Sequence, residues 1–279
     1  MRPFAIALPM CLCLLSSLAS AQTKDKDLKT YLDGVTERGR ALYAYDQAAW
    51  LGTDAFFALH PDTNGLTHYI CSKTSSGWLV TFPKWNETHD RLHVVYEAAE
   101  SEPGKYEARK FDPPKEASDD LTAMERALEL AVADFQHPDR PYNTAILPAP
   151  GGNLYVYLYP GQTKSTIWPI GGDVRYVISP DGKQIIEKRQ LHKTILDMEY
   201  KPDSGATDGF HSHVLSNVPE DTDVLYVLTR RPLIPEYIII TPEKLFAVNT
   251  DGTIVLTKPC EQPSHLPCSG KKQPDGPLH

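Results

Sequence analysis

The sequence has no run of basic residues and no excess of positive charge. Its 28 lysines and arginines are outnumbered by 36 aspartates and glutamates, which gives a formal net charge of -8. A protein that binds nucleic acid needs a basic face to neutralise the phosphates. The composition therefore argues against a nucleic-acid partner.

After the N-terminal stretch, no apolar run approaches the length of about 20 residues that a membrane-spanning helix requires. The N-terminus itself has one charge at Arg2, a mostly apolar stretch over residues 4–18 and small side chains at residues 19–21. This three-part pattern is typical of a secretory signal peptide. We expect residues 1–21 to be removed and the mature protein to be exported, either to a periplasm or as a secreted protein. An uncleaved N-terminal anchor is the alternative.

Cysteine is scarce, and two of the five cysteines, Cys11 and Cys13, lie inside the N-terminal apolar stretch. An oxidising compartment allows the two C-terminal cysteines, Cys260 and Cys268, to form a disulfide within the proline-rich tail. The remaining cysteine, Cys71, lies in an apolar segment. It is expected to be a buried thiol, and no spacing to a histidine supports a nucleophilic role.

The 24 prolines favour frequent strand ends and loops over long helices. Residues 27–59 nevertheless carry apolar side chains at helical spacing. This pattern predicts one long helix, or two helices that join near Gly34 or Gly39. Proline at position 61 ends the helical pattern.

Three residues of this helix, Asp46, Trp50 and Asp54, recur at intervals of four and therefore share one face. Two carboxylates that flank an aromatic ring could form a binding site. The alternative is the solvated edge of an amphipathic helix.

From residue 66 the pattern changes to short segments divided by Gly, Pro and Asn turns, which predicts strands. Ser118 or Asp119 can cap a second helix that ends before Pro138. No regular alternation of strands and helices is visible, so the sheets should be mostly antiparallel and the fold class α+β. The predicted domains are residues 22–165 and 166–258, followed by a tail over 259–279. The predicted strands cover residues 67–72, 78–83, 92–98, 106–111, 142–147, 154–159, 174–178, 184–195, 237–241, 245–249 and 254–256.

One group of residues, His211, His213 and Asp223, has the chemistry of a metal site. Residues at i and i+2 of a strand point to the same side, so both imidazoles can face one ion. Imidazole nitrogens with a carboxylate suit zinc. Asp223 opens a segment that reads as a helix or a strand. His192 lies on the preceding hairpin. It could be a fourth metal ligand or form a hydrogen bond to one of the ligands. The alternative is a strand residue that faces solvent.

Residues 209–213, followed by an acid ten residues after the second histidine, resemble the JAB/MPN (JAMM) metalloprotease family. The resemblance covers roughly residues 168–258 and implies an α/β domain of that kind. It further implies that His211, His213 and Asp223 hold zinc, while a glutamate acts on the zinc-bound water. The strand pattern at residues 237–241 is also similar to that family.

The chain departs from the family pattern at several positions. Val214 stands in place of the family's proline, Asp223 comes one residue early, and the glutamate has only Glu187 and Glu199 as candidates. A general base typically contributes a factor of about 10²–10⁴ to the rate. We therefore expect an exported, non-catalytic or weakly active protein that binds an unidentified protein or peptide. A secreted zinc-dependent amide or isopeptide hydrolase is the alternative.

Overall fold

The structure is a computed structural model that describes residues 12–135, 140–199, 208–230 and 236–257. Within these residues it contains three α-helices and fourteen strands. An N-terminal helix is followed by mostly antiparallel sheets, so the predicted α+β class is confirmed. In the part of the chain described here, no helix is long and apolar enough to cross a membrane. The predicted disulfide between Cys260 and Cys268 lies outside the described residues.

Helix α1 runs without interruption from Leu12 to Phe57, a length of 46 residues. It is longer than the proline content of the chain suggests, because no proline occurs between residues 10 and 60. Gly39 does not divide the helix and instead permits close packing. A Cβ atom at this position would lie 2.4 Å from the Cβ of Val224.

The strands form three four-stranded sheets and one two-stranded sheet. The first sheet is an antiparallel meander of β1 (Ile70–Thr74), β2 (Gly77–Trp85), β3 (Leu92–Glu102) and β4 (Lys105–Glu116). The second has the order β5 (Tyr142–Pro148), β6 (Leu154–Pro160), β8 (Val174–Ile178) and β9 (Ile185–Gln190). Strand β7 (Ile167–Gly171) pairs with β10 (Ile195–Glu199), and the last sheet contains β11 (Asp208–Ser212), β12 (Glu236–Ile240), β13 (Leu245–Asn249) and β14 (Ile254–Thr257).

The two shorter helices begin at capped or acidic ends. Helix α2 spans Asp119–Phe135, and the Leu121 N–H donates to Ser118 Oγ at 3.2 Å, so Ser118 is the cap. The segment after Asp221 is a helix, α3 (Asp221–Arg230), with two aspartates in its first turn. It connects β11 to β12, which pair in parallel. This crossover is a departure from the antiparallel pairing of the other strands.

Helix α1 packs on two groups of buried side chains. Its C-terminal half, including Leu42 and Phe56, belongs to a core shared with the first two sheets. Its earlier residue Val35 packs with α3 and the last sheet. The predicted boundary near residue 165 lies between β6 and β8, which pair in one sheet. The division into two domains stays a prediction.

A partly buried ion pair between His68 and Glu125 gives a pH-dependent contribution to stability. His68 Nδ1 lies 2.8 Å from Oε1 of the fully buried Glu125. Burial lowers the pKa of His68, but the Glu125 charge outweighs it and leaves that pKa above its ordinary value. A raised folded-state pKa stabilises the fold below the unfolded pKa of about 6.5, and this contribution is lost as the pH rises through the folded value.

We therefore expect His68→Gln to destabilise the protein more at pH 5.5 than at pH 9. Urea unfolding at the two pH values measures the difference. His93→Gln, at a half-buried position on β3, serves as the control for the pH dependence of the rest of the molecule. Equal destabilisation by His68→Gln at both pH values would contradict the assignment.

Candidate metal centre

Four side chains from three separate segments meet in the interior beside α3. His211 lies on β11, His213 follows that strand, and Asp223 lies in the first turn of α3. His192 comes from the turn between β9 and β10. All four are buried, and one ligand atom from each lies within 4.8 Å of the others.

The three histidines direct the same ring nitrogen, Nε2, toward the aspartate. His213 Nε2 lies 3.0 Å from His192 Nε2 and 2.9 Å from His211 Nε2. Asp223 Oδ1 is 3.2 Å from His192 Nε2 and 3.1 Å from His211 Nε2, while Oδ2 is 3.2 Å from His213 Nε2. Ligands bound at 2.0–2.1 Å to one tetrahedral ion are separated by about 3.3 Å. The spacing of these atoms therefore fits a single small cation.

The opposite ring nitrogen, Nδ1, of each histidine has its own hydrogen-bond partner. His192 pairs with Asp173 Oδ1 at 2.7 Å, His213 with the Val218 carbonyl at 3.0 Å and His211 with the Tyr237 hydroxyl at 3.1 Å. A carboxylate and a carbonyl can only accept, so Nδ1 of His192 and of His213 carries the proton. In the neutral ring this leaves the Nε2 lone pair available for a metal ion.

The electrostatics of the cluster also favour a cation. Burial opposes ionisation of Asp223, but the three histidines outweigh it and hold the pKa of this carboxyl well below its ordinary range. Burial lowers the pKa of His211, which favours its neutral imidazole. Asp223 Oδ1 is buried beside Nε2 of His192 and of His211, and neither contact has the geometry of a hydrogen bond within the described part of the chain. An anionic oxygen next to nitrogen lone pairs is satisfied when a metal ion lies between them.

The pKa of His192 is raised, whereas that of His211 is lowered. Burial lowers it, but the charges of Asp173 and Asp223 outweigh the burial and raise the pKa well above its ordinary value. Asp173 thus accepts a hydrogen bond from Nδ1 of His192, on the side of the ring opposite to the cluster. Carboxylate–histidine pairs of this kind fix the orientation of metal ligands and increase their basicity.

The cluster is reached from one side by a cavity of about 150 Å³. Both His192 and His211 line this cavity. The apolar side chains of Leu196, Val214 and Leu215 also line it and are partly exposed to solvent. The group therefore has a route to the surface between β10 and the segment that follows β11.

The structure brings together three of the residues predicted from the sequence, His211, His213 and Asp223. The two glutamates predicted as catalytic lie outside this cluster. Glu187 on β9 and Glu199 on β10 are exposed, and neither belongs to the cluster. The catalytic role of either residue stays a prediction. The fourth member of the cluster is His192, which is buried and does not face solvent.

The sequence feature that points to an inward position of His192 is the glycine pair Gly171 and Gly172. Gly171 and Gly172 have φ values of 81° and 66°, which favour glycine. A Cβ on Gly171 would lie 2.4 Å from the Thr194 carbonyl oxygen, and one on Gly172 would lie 2.2 Å from Ile195 Cγ1. The pair allows the turn that carries His192 to approach closely and places Asp173 behind its ring.

Comparison with known proteins adds no relative to this picture. No family model, curated protein or solved structure matches the chain. The order of the site residues along the fold is a histidine pair at the end of β11, an aspartate at the start of α3 and then the parallel strand β12. The likeness to the JAB/MPN family depends on this order and stays a proposal.

Asp173→Asn should weaken metal binding, because the amide removes the charge that supports His192. Loss of a partner behind a ligand typically costs about 10- to 100-fold in metal affinity. Competition with a chromophoric chelator measures the affinity. Asp181→Asn, in an exposed turn, is the matched control and should leave the affinity unchanged. Equal affinities for Asp173→Asn and the unmodified protein would exclude the supporting role.

Proposed function

We propose that this protein is an exported metal-binding protein whose buried three-histidine, one-aspartate group holds one zinc ion. In this proposal it acts by binding a protein or peptide partner, and the metal ion stabilises the fold. The observation that carries the proposal is the convergence of His192, His211, His213 and Asp223 on one point. Three imidazole nitrogens and one carboxylate oxygen form a donor set that suits zinc.

The number of protein ligands supports a structural site over a catalytic one. Structural zinc sites are closed by four protein ligands, whereas catalytic sites keep one position for water or substrate. Here four protein ligands are available, and no glutamate joins them among the described residues. The nearby Glu220 donates its N–H to Asp223 Oδ2, and its carboxylate pairs with Arg189.

Apolar side chains around the mouth of the cavity support a partner-binding role. Leu196, Val214 and Leu215 line this cavity and are 44%, 69% and 50% exposed. Grouped apolar residues on a protein surface commonly mark interaction sites. Because Val214 and Leu215 directly follow His213, the metal ion would also hold this surface in place.

Metal analysis of the purified mature chain tests the proposal. We expect about one zinc per chain, and we expect His211→Ala/His213→Ala to remove it because two of the four ligands are lost. His93→Ala, which removes a histidine from β3, is the matched control and should retain the metal. Equal zinc contents in the double variant and the unmodified protein would end the proposal.

A second candidate function, zinc-dependent hydrolysis of an amide or isopeptide bond, is favoured by the cavity that reaches His192 and His211. A peptidase assay on the zinc-loaded chain separates the two functions. We expect no cleavage above the level of His211→Ala/His213→Ala. Cleavage that depends on these two histidines would replace the binding role with the enzymatic one.

A further inference from the structure

We propose that a cleft lined by α1, α3 and the strands β6 and β7 binds a small organic cation, through an alkylammonium or guanidinium group. The cleft, named here the α1 cleft, consists of a cavity of about 140 Å³ and an adjoining one of about 620 Å³. The two cavities share the lining residues Asp46, Asn143, Gln162, Trp168 and Thr229. The cleft contains none of the four residues of the metal centre, and it shares with the surroundings of that centre Asp173, the partner of His192 Nδ1.

The charge of the lining residues favours a positive ligand. Asp46 lines both cavities and Asp54 lines the large one, while Asp173, whose Oδ1 pairs with His192, borders the small one. No lysine or arginine lines either cavity among residues with described side chains. Asp46 Oδ1 accepts a hydrogen bond from the Tyr159 hydroxyl at 2.8 Å. Burial raises the pKa of Asp46, so a bound cation would stabilise its ionised form.

Aromatic rings form the other walls of the cleft. Trp168 lines both cavities, while Trp50 and Phe57 line the larger one and are 60% and 56% exposed. The faces of such rings attract cations. The guanidinium carbon of Arg230 lies 3.6 Å from the ring centroid of Trp168 and occupies one face of that ring, so Trp50 and Phe57 are the rings that a ligand cation would contact. Asp46, Trp50 and Asp54, which share one helix face in the sequence, thus line one cavity.

An unsatisfied buried hydroxyl gives independent support for a ligand. Thr222 lines the small cavity and is only 7% exposed. Its Oγ1 atom has no hydrogen-bond partner within the described residues. Buried polar groups in proteins are normally paired, so an exception calls for a partner. The N–H groups of an ammonium or guanidinium can donate a hydrogen bond to this oxygen.

Calorimetry on the purified chain, with three probes of equal chain length, tests the charge requirement. We expect n-butylammonium to bind at least about tenfold more tightly than n-butanol, and butyrate not to bind, because the carboxylates attract the first and repel the last. Equal binding of butylammonium and butanol would overturn the proposal. N-acetyl-lysine amide, as a fourth probe, distinguishes the two sources of the group. Tighter binding than butylammonium indicates a peptide side chain, and equal or weaker binding indicates a free amine.

Variants on α1 test the location. Asp46→Asn keeps the shape of the side chain and should weaken butylammonium binding at least about tenfold. Asp33→Asn, at an exposed position of the same helix, should leave it unchanged. Trp50→Ala changes an exposed side chain, so folding is not at risk, and should weaken binding about threefold. Unchanged affinity in both Asp46→Asn and Trp50→Ala would overturn the assignment to this cleft.

Discussion

Removal of the zinc that we propose for the buried histidine–aspartate group is expected to lower the free energy of unfolding by about 4 kcal/mol relative to protein kept at a free zinc concentration a thousand times the dissociation constant. The ligands come from three segments: the turn at His192, the pair His211 and His213, and the start of α3 at Asp223. An unfolded chain does not bring these segments together, so the ion binds almost only to the folded state. Urea unfolding with and without a chelator measures the difference.

The double variant His211→Ala/His213→Ala provides the matched comparison. It should unfold at the same urea concentration with and without chelator, since it has lost two ligands. His93→Ala should respond to the chelator as the unmodified protein does. If the unmodified protein carries zinc yet unfolds at the same urea concentration after chelation, the metal ion has no part in stabilising the fold.

The spacing of residues 211–213 was sufficient to group two imidazoles, because alternate residues of a strand face the same side. Asp223 was suggested by its type and distance along the chain, and the structure places it in the first turn of α3. Strand geometry groups the two histidines, whereas the position of Asp223 also depends on the packing of α3 against α1, β6 and β8. Local periodicity in the same way predicted the existence of α1 and of most strands.

His192 could not be placed in this way, because its position depends on long-range packing. Residues 184–195 form one continuous strand pattern, but the chain pairs first with β8 and then with β7. The change of partner divides the segment into β9 and β10, with His192 at the turn between them. The turn faces inward because Gly171 and Gly172 leave room for it. No periodic pattern in the sequence describes such a contact.

Replacement of Asp221 by alanine is expected to destabilise the protein by about 3–5 kcal/mol, the usual cost of leaving buried charges unpaired. Asp221 is fully buried at the start of α3. Its Oδ1 accepts from Arg38 Nε at 3.0 Å, and its Oδ2 accepts from Arg175 Nη1 at 2.9 Å and from the Tyr157 hydroxyl at 2.8 Å. The carboxylate thus joins α1, β6 and β8 to α3. Urea unfolding of the zinc-saturated protein measures the loss.

A second arginine–aspartate pair on α1 isolates the effect of burial. Arg40 lies 3.4 Å from Asp251, and both side chains are largely exposed. The exposed pair itself is worth only about 0–1 kcal/mol, because solvent screens it. Asp251→Ala also removes the two hydrogen bonds that Asp251 Oδ1 accepts from the Thr253 N–H and hydroxyl. The difference between the two variants is therefore a lower bound on the cost of leaving Arg38 and Arg175 without their anion, and equal losses would show that Asp221 does not hold α3 in place.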